Sequence, residues 1–159
     1  MPPPTIRAVA AASVGLVSAR RLLASPPLPP EHAAALGVEE LSARLGLRSW
    51  PGRVRVAVTD RVAAPAVAGI LHPMILLPPA QLAALGDAQL RAVLAHELAH
   101  VVRGDLIVGL AQRVVEACLF FNPAVLWLGA RLRAEREACC DAMAAEATGG
   151  SRGVAETLA

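Results

Sequence analysis

This chain predicts an α+β fold, mainly helical, with a small sheet, one helix bearing a metal-binding pattern and a helical hairpin after it. Three observations predict it. Apolar stretches between Val54 and Leu77 alternate or stop at proline, as strands do. In His96-Glu97-Leu98-Ala99-His100 two imidazoles sit four residues apart, on one face of a helix. Two longer apolar runs flank Asn122-Pro123, a turn signal because the residue before proline avoids the helical region. A chain of 159 residues is expected to form one domain with a core of its own.

Taken in order, residues 1–30 read as an apolar helix and a stiff linker, Pro26-Pro27-Leu28-Pro29-Pro30. Ala8 to Ala19 is apolar, but Arg7 and Arg20-Arg21 bracket only about a dozen residues, short of the ~20 that a membrane span needs. It fits the tail of a longer span, an interfacial helix, or a signal-like segment without an Ala-x-Ala cleavage site. Residues 31–150 are the main domain. Glu31 to Leu47 has the spacing of an amphipathic helix (Leu36, Leu41, Leu45), and Trp50-Pro51-Gly52 turns the chain after it. Val54, Val56 and Val58 alternate with Arg55 and Ala57, a half-buried strand. Ala66 to Leu77, containing Gly69 and ending at Pro78-Pro79, predicts an edge strand. The zinc-type helix follows, and then Asp105 to Phe121, with Asp105 read as N-cap after Gly104. The returning helix runs from Ala124 to about Ala147 and stops at Thr148-Gly149-Gly150. Residues 151–159 read as the start of a further helix.

The site comes from the same residues. Two histidines leave a zinc ion needing a third protein ligand and an open position for water, and Glu97 is placed to take a proton from that water. Six residues past His100 stands Leu106, which cannot coordinate. Downstream, Arg136-Glu137-Ala138-Cys139-Cys140-Asp141 offers two carboxylates four apart. One can bind the metal while the other hydrogen-bonds a ligating imidazole, and Glu137 is the preferred ligand. Counting supports this. The outgoing arm is roughly 24 Å and the return to Glu137 roughly 21 Å at 1.5 Å per residue, so Glu137 comes back to the level of the histidines. The same geometry excludes one complete membrane crossing between His100 and Glu137. A hairpin that dips into a bilayer or packs as soluble core remains allowed.

Composition sets the surroundings. Apolar residues make up 55%, charged residues only 18% and mean hydropathy is +0.52, which favours membrane contact or a large partner surface. A net charge of +2 without a basic run gives nucleic-acid binding no support. Every basic residue is arginine and tyrosine is absent, a composition typical of GC-rich bacterial genomes. The three cysteines form no disulfide framework; Cys118 and Cys140 read as buried packing, although Cys140 lies near the ligand face. His32 and His72 lack partners at helical spacing and read as loop or surface residues.

The stretch Ala95 to Asp141, with its Ala-His-Glu-Leu-Ala-His-Val-Val-Arg-Gly-Asp, Phe121-Asn122-Pro123 and Arg-Glu-x-x-Cys-Asp, resembles the BlaR/MecR antirepressor family of membrane zinc metallopeptidases. Upstream, Ala64 to Gly69 and His72 to Pro78 are similar to the strand region before the zinc helix in that family. HtpX-type membrane proteases share the same zinc logic. The resemblance implies a zincin-like domain of gluzincin type holding one Zn2+ through His96, His100 and Glu137. It implies Glu97 as catalytic base and Asp141 as support for a zinc histidine. In such enzymes an edge strand binds the substrate backbone, here at Ala68 and Gly69. With no tyrosine present, Arg133 is the candidate oxyanion donor. The implied activity is hydrolysis of a cytoplasmic protein, such as a repressor, at a bacterial plasma membrane. Arg131, Arg133 and Arg136 favour a cytoplasm-facing site. The alternatives are an HtpX-like quality-control protease and a non-catalytic zinc-binding scaffold. No Ser-x-x-Lys pair of a β-lactam sensor occurs in these residues.

Overall fold

The computed structural model describes residues 27–29, 33, 36–47, 54–70 and 72–149. The apolar segment 8–19, the turn at 50–52, His32 and residues 151–159 lie outside them. Helix α1 spans Val38–Arg44, followed by strands β1 (Arg55–Val58), β2 (Ala66–Ala68) and β3 (Met74–Leu77). Four helices complete the order: α2 (Pro79–Ala84), α3 (Asp87–Arg103), α4 (Asp105–Cys118) and α5 (Pro123–Thr148). The fold is α+β and mainly helical, as expected.

The three strands form one sheet in the order β1-β3-β2, with β1 parallel and β2 antiparallel to β3. The edge strand expected over 66–77 is therefore two strands. Gly69, at φ 88°, occupies a backbone region that side chains disfavour; there the chain leaves β2, and it returns at Met74 to pair back on itself. Only Ala66–Ala68 is an edge. Met74–Leu77 is central and buried along its whole length, which explains why it reads as a continuous apolar run rather than an alternation. Leu28 also joins this layer: its N–H donates to the Val56 carbonyl at 2.7 Å, and its side chain enters the core.

One sheet face, carrying Val56, Ile75 and Leu77, packs on Leu41 of α1 and on Leu90, Leu94 and Leu98 of α3. Each fully buried leucine contributes about 2 kcal/mol of hydrophobic transfer free energy. The opposite face buries Ala57, Met74 and Leu76 under Val62 and Ala68. Of the helix expected over 31–47, α1 is the described part that follows Gly37, at φ 65°, and Ala33 before it is helical as well.

Helix α5 lies along α3. Cys140, Ala144 and Ala147 form a buried stripe of small side chains at helical spacing on α5. They pack toward the α3 face that holds Ala95 and Ala99, and small residues on both sides let the axes approach closely. Gly104 joins α3 directly to α4. At φ 66° it ends the first helix in a left-handed turn, with its N–H on the Val101 carbonyl at 3.1 Å, and it is also the N-cap of the second. Asp105 is therefore the first residue of α4 rather than its cap, which frees its carboxylate for another partner. Asn122 caps α5, its side chain accepting from Ala124 N at 3.0 Å.

Candidate metal centre

Helix α3 is buried along the stretch that contains His96 and Glu97, and both rings of the His-x-x-x-His pair emerge toward α5. His96 Nε2 and His100 Nε2 are 3.2 Å apart. Glu137 Oε2 lies 3.4 Å from the first and 3.7 Å from the second. Among the described residues these three side chains form one compact group of ligand atoms. The returning arm of the hairpin thus comes back to the level that residue counting expects.

The hydrogen-bond partners of the two rings suit a cation site. His100 Nδ1 is 2.8 Å from Asp105 Oδ2; in the neutral tautomer that donates this hydrogen bond, Nε2 is free to coordinate. Asp141 Oδ1 comes within 2.8 Å of His96 Nδ1, but off the ring's donor direction, leaving that buried nitrogen without an aligned hydrogen bond. Two imidazole Nε2 atoms and a carboxylate oxygen converge on one point. Such a donor set can hold a cation. The separations also fit. Four ligands at about 2.0–2.2 Å around zinc stand roughly 3.3 Å apart in a tetrahedron.

Asp105 is a buried hub. Its Oδ2 also meets Arg103 Nε and Cys140 Sγ, each at 3.4 Å, and its Oδ1 faces Arg136 Nε at 3.3 Å. Cys140 is buried as expected, but it also touches His100 Nδ1 at 3.3 Å. Burial pushes its thiol up to about 12, with the hydrogen bond and charge of Asp105 adding to the shift, so it remains a neutral donor. Cys118, expected in the core, is exposed on α4 because the apolar face of that helix points outward. His72 is exposed. Asp105 was legible only as a helix start. The missed signal is that a left-handed glycine between two helices folds the next side chain back onto the last turn, where His100 lies.

Glu97 lines the cleft. Burial pushes its carboxyl up to about 7, opposed by the charge of His96 and reinforced by that of Glu137. A cleft of about 620 Å³ runs from Ala66, Val67 and Ile70, past His96, Glu97, His100 and Glu137, to Arg113 and Arg133 between α4 and α5. Ala68 instead packs its side chain toward the Met74 cluster, and Gly69 borders a smaller apolar cavity beside His100. Arg133 Nη1 donates to Glu116 Oε1 at 2.6 Å.

The family model for the BlaR1 peptidase M56 matches residues 33–151, well over half of the chain, with both histidines, Glu97 and Glu137 inside the matched region. The chain belongs to the BlaR1 peptidase M56 family. This is a family of zinc metallopeptidases. Within it, the chain is 29% identical over 89 residues to the regulatory protein BlaR1 of Bacillus licheniformis, covering 56% of this chain and 15% of that protein. It is 26% identical over 95 residues to the methicillin resistance mecR1 protein of Staphylococcus aureus, covering 60% of this chain and 16% of that one. The mecR1 protein of Staphylococcus epidermidis matches to the same extent. The match therefore spans about one sixth of the length of these curated relatives.

Proposed function

We propose that this chain is a zinc-dependent metalloendopeptidase domain with His96, His100 and Glu137 as ligands of one Zn2+. The observation that carries the reading is the convergence of two imidazole Nε2 atoms and a carboxylate oxygen at tetrahedral-edge distances. Zinc bound there supplies a Lewis acid for the scissile carbonyl and lowers the pKa of water from 15.7 to about 7. Glu97 takes the proton from the attacking water and delivers it to the leaving amine. A carboxyl whose proton leaves at about 7 is matched to that exchange at neutral pH. Asp105, hydrogen-bonded to His100 Nδ1, and Asp141, beside His96 Nδ1, would favour the tautomers in which both Nε2 atoms face the metal. Peptide backbone adds along β2, the exposed edge that borders the cleft, near Ala68 and Gly69. Arg133, on the wall of the same cleft, is the candidate oxyanion donor once it releases Glu116.

The work in the cell is proteolysis of a protein substrate, such as a repressor; the name of one relative, a regulatory protein, supports the regulatory part of this reading. The chain acts at a membrane surface. No described helix is long and apolar enough to cross a bilayer. However, Ile107, Leu110, Val114, Phe120, Phe121 and Trp127 are exposed together on the hairpin of α4 and α5. At roughly 21 Å for its 14 residues, α4 is long enough to dip into a ~30 Å hydrocarbon layer, not to traverse it.

Bound zinc and casein cleavage measured for wild type and Glu97→Gln test this reading. Both proteins should hold one zinc, with cleavage lower by about 10²–10⁴ in the variant. Zinc in both with equal, negligible turnover would establish a scaffold instead.

A further inference from the structure

Resting on the reading of His96, His100 and Glu137 as metal ligands, we propose that Arg136 is a positioning residue for that centre. It clamps the helix carrying Glu137 to the Asp105 carboxylate that orients His100.

The hairpin of α4 and α5 is built in reverse of an ordinary surface hairpin, with apolar side chains outward and polar ones between the helices. Gln112 Nε2 donates to Glu116 Oε1 and to the Gly129 carbonyl, both at 2.8 Å. Arg133 closes on the same Glu116 oxygen. Arg136 Nη2 donates to Gln112 Oε1 at 3.0 Å, and its Nε reaches Asp105 Oδ1 at 3.3 Å. Asp105 then holds His100 Nδ1 at 2.8 Å. The chain of contacts from Glu116 to His100 is unbroken, and Arg136 joins its two halves.

The burial of this pair points to positioning rather than to stability. The Arg136 side chain is 13% exposed and that of Asp105 is 7% exposed. A buried ion pair of this kind contributes little net stability compared with apolar side chains in its place. Arg131, one and a half turns earlier on α5, shows the ordinary alternative: it is 67% exposed and reaches only Glu135, at 3.6 Å. Asp105 has two oxygens with separate duties. His100, Arg103 and Cys140 all gather on Oδ2, so among the described residues it is Arg136 that holds Oδ1 and sets the plane of the carboxylate. Because Arg136 directly precedes Glu137, the same side chain sets the height of the third ligand against the histidine pair. Loosening it releases two of the three ligands at once.

The test uses the full chain and metal ions alone. Zinc affinity is measured by competition with a chromophoric chelator, and the visible absorption of the Co2+-substituted protein reports ligand geometry. Arg136→Gln should bind zinc about 10–100-fold more weakly and shift the cobalt bands. Arg136→Lys, which keeps the charge, should recover part of the affinity, and Arg131→Gln should match wild type in both readouts. If Arg136→Gln loses its helical circular dichroism, Gln112→Leu takes its place. That variant keeps Arg136 and Asp105 but removes the carbonyl holding the guanidinium, and should weaken zinc by a few-fold with the same spectral change. A wild type that binds zinc, with the folded variant unchanged in affinity and cobalt spectrum, overturns the role of Arg136 and leaves the metal reading intact. A wild type that takes up no zinc overturns both.

Discussion

Glu97 sits at a balance between burial and charge, and the balance depends on whether a cation is present. In the metal-free protein its carboxyl is raised from 4.5 to about 7, first by burial. The folded state then holds a proton that the unfolded state has released, so folding stability falls as pH rises through this window. Below pH 4.5 both states are protonated and nothing is lost; above pH 7 the whole penalty is present, on the order of 3 kcal/mol. Glu97→Gln mimics the protonated acid. With a chelator present, its urea midpoint should exceed that of wild type at pH 8 and converge with it below pH 4.5. A difference that stays constant across this range, or has the opposite sign, removes the buried-carboxylate account. The roles of His96, His100 and Glu97 are open to reading because their spacing is local, four residues on one helix face. Asp105 is not, since its partner is chosen by the left-handed turn at Gly104.

Helices were the legible elements. The run from Asp105 ends at Cys118 and the return runs Pro123–Thr148, within a few residues of what apolar periodicity and the Asn-Pro turn predict. Strands were less so. A single run of apolar residues over 66–77 cannot reveal that it folds back on itself, because a central strand buried on both faces loses its alternation. The two hairpin helices meet at Gly129, where an added methyl group would collide with the Glu116 carboxylate and crowd Gln112. Gly129→Ala therefore sets a helix-propensity gain of about 1 kcal/mol against an overpacking cost of roughly 1–3 kcal/mol and a broken polar seam. The seam should win, with a net loss of about 1 kcal/mol or more in urea unfolding. An alanine variant more stable by the full propensity gain would show that the helices part there without penalty.

The whole molecule has two unlike halves. Around the sheet, α1 and α3, apolar side chains point inward and the core is conventional. Beyond the metal centre the hairpin turns its apolar surface out, with Phe121 and Trp127 about 70% exposed at the tip. An apolar patch of this extent marks a surface that meets lipid or a partner. Co-sedimentation with vesicles of phosphatidylcholine and phosphatidylglycerol checks the lipid assignment. Wild type should partition into the pellet, and Phe121→Glu with Trp127→Glu should lower the partition coefficient at least tenfold, given ~2.5–3.5 kcal/mol for a carboxylate deep in the bilayer. Equal sedimentation of the two proteins would move the contact elsewhere.

By itself the amino-acid order determined what depends on local pattern: the longer helices, that two imidazoles share a face, and, by counting along the hairpin, that a carboxylate returns to their level after the Asn-Pro turn. Tertiary structure decided what depends on direction. Helical periodicity says that α4 has an apolar face but not which way it points, and only the packing of α5 on α3 turns that face outward and closes the polar seam onto Asp105. Side-chain spacing is a property of one element. The partners each side chain meets are set by the orientation of two elements together.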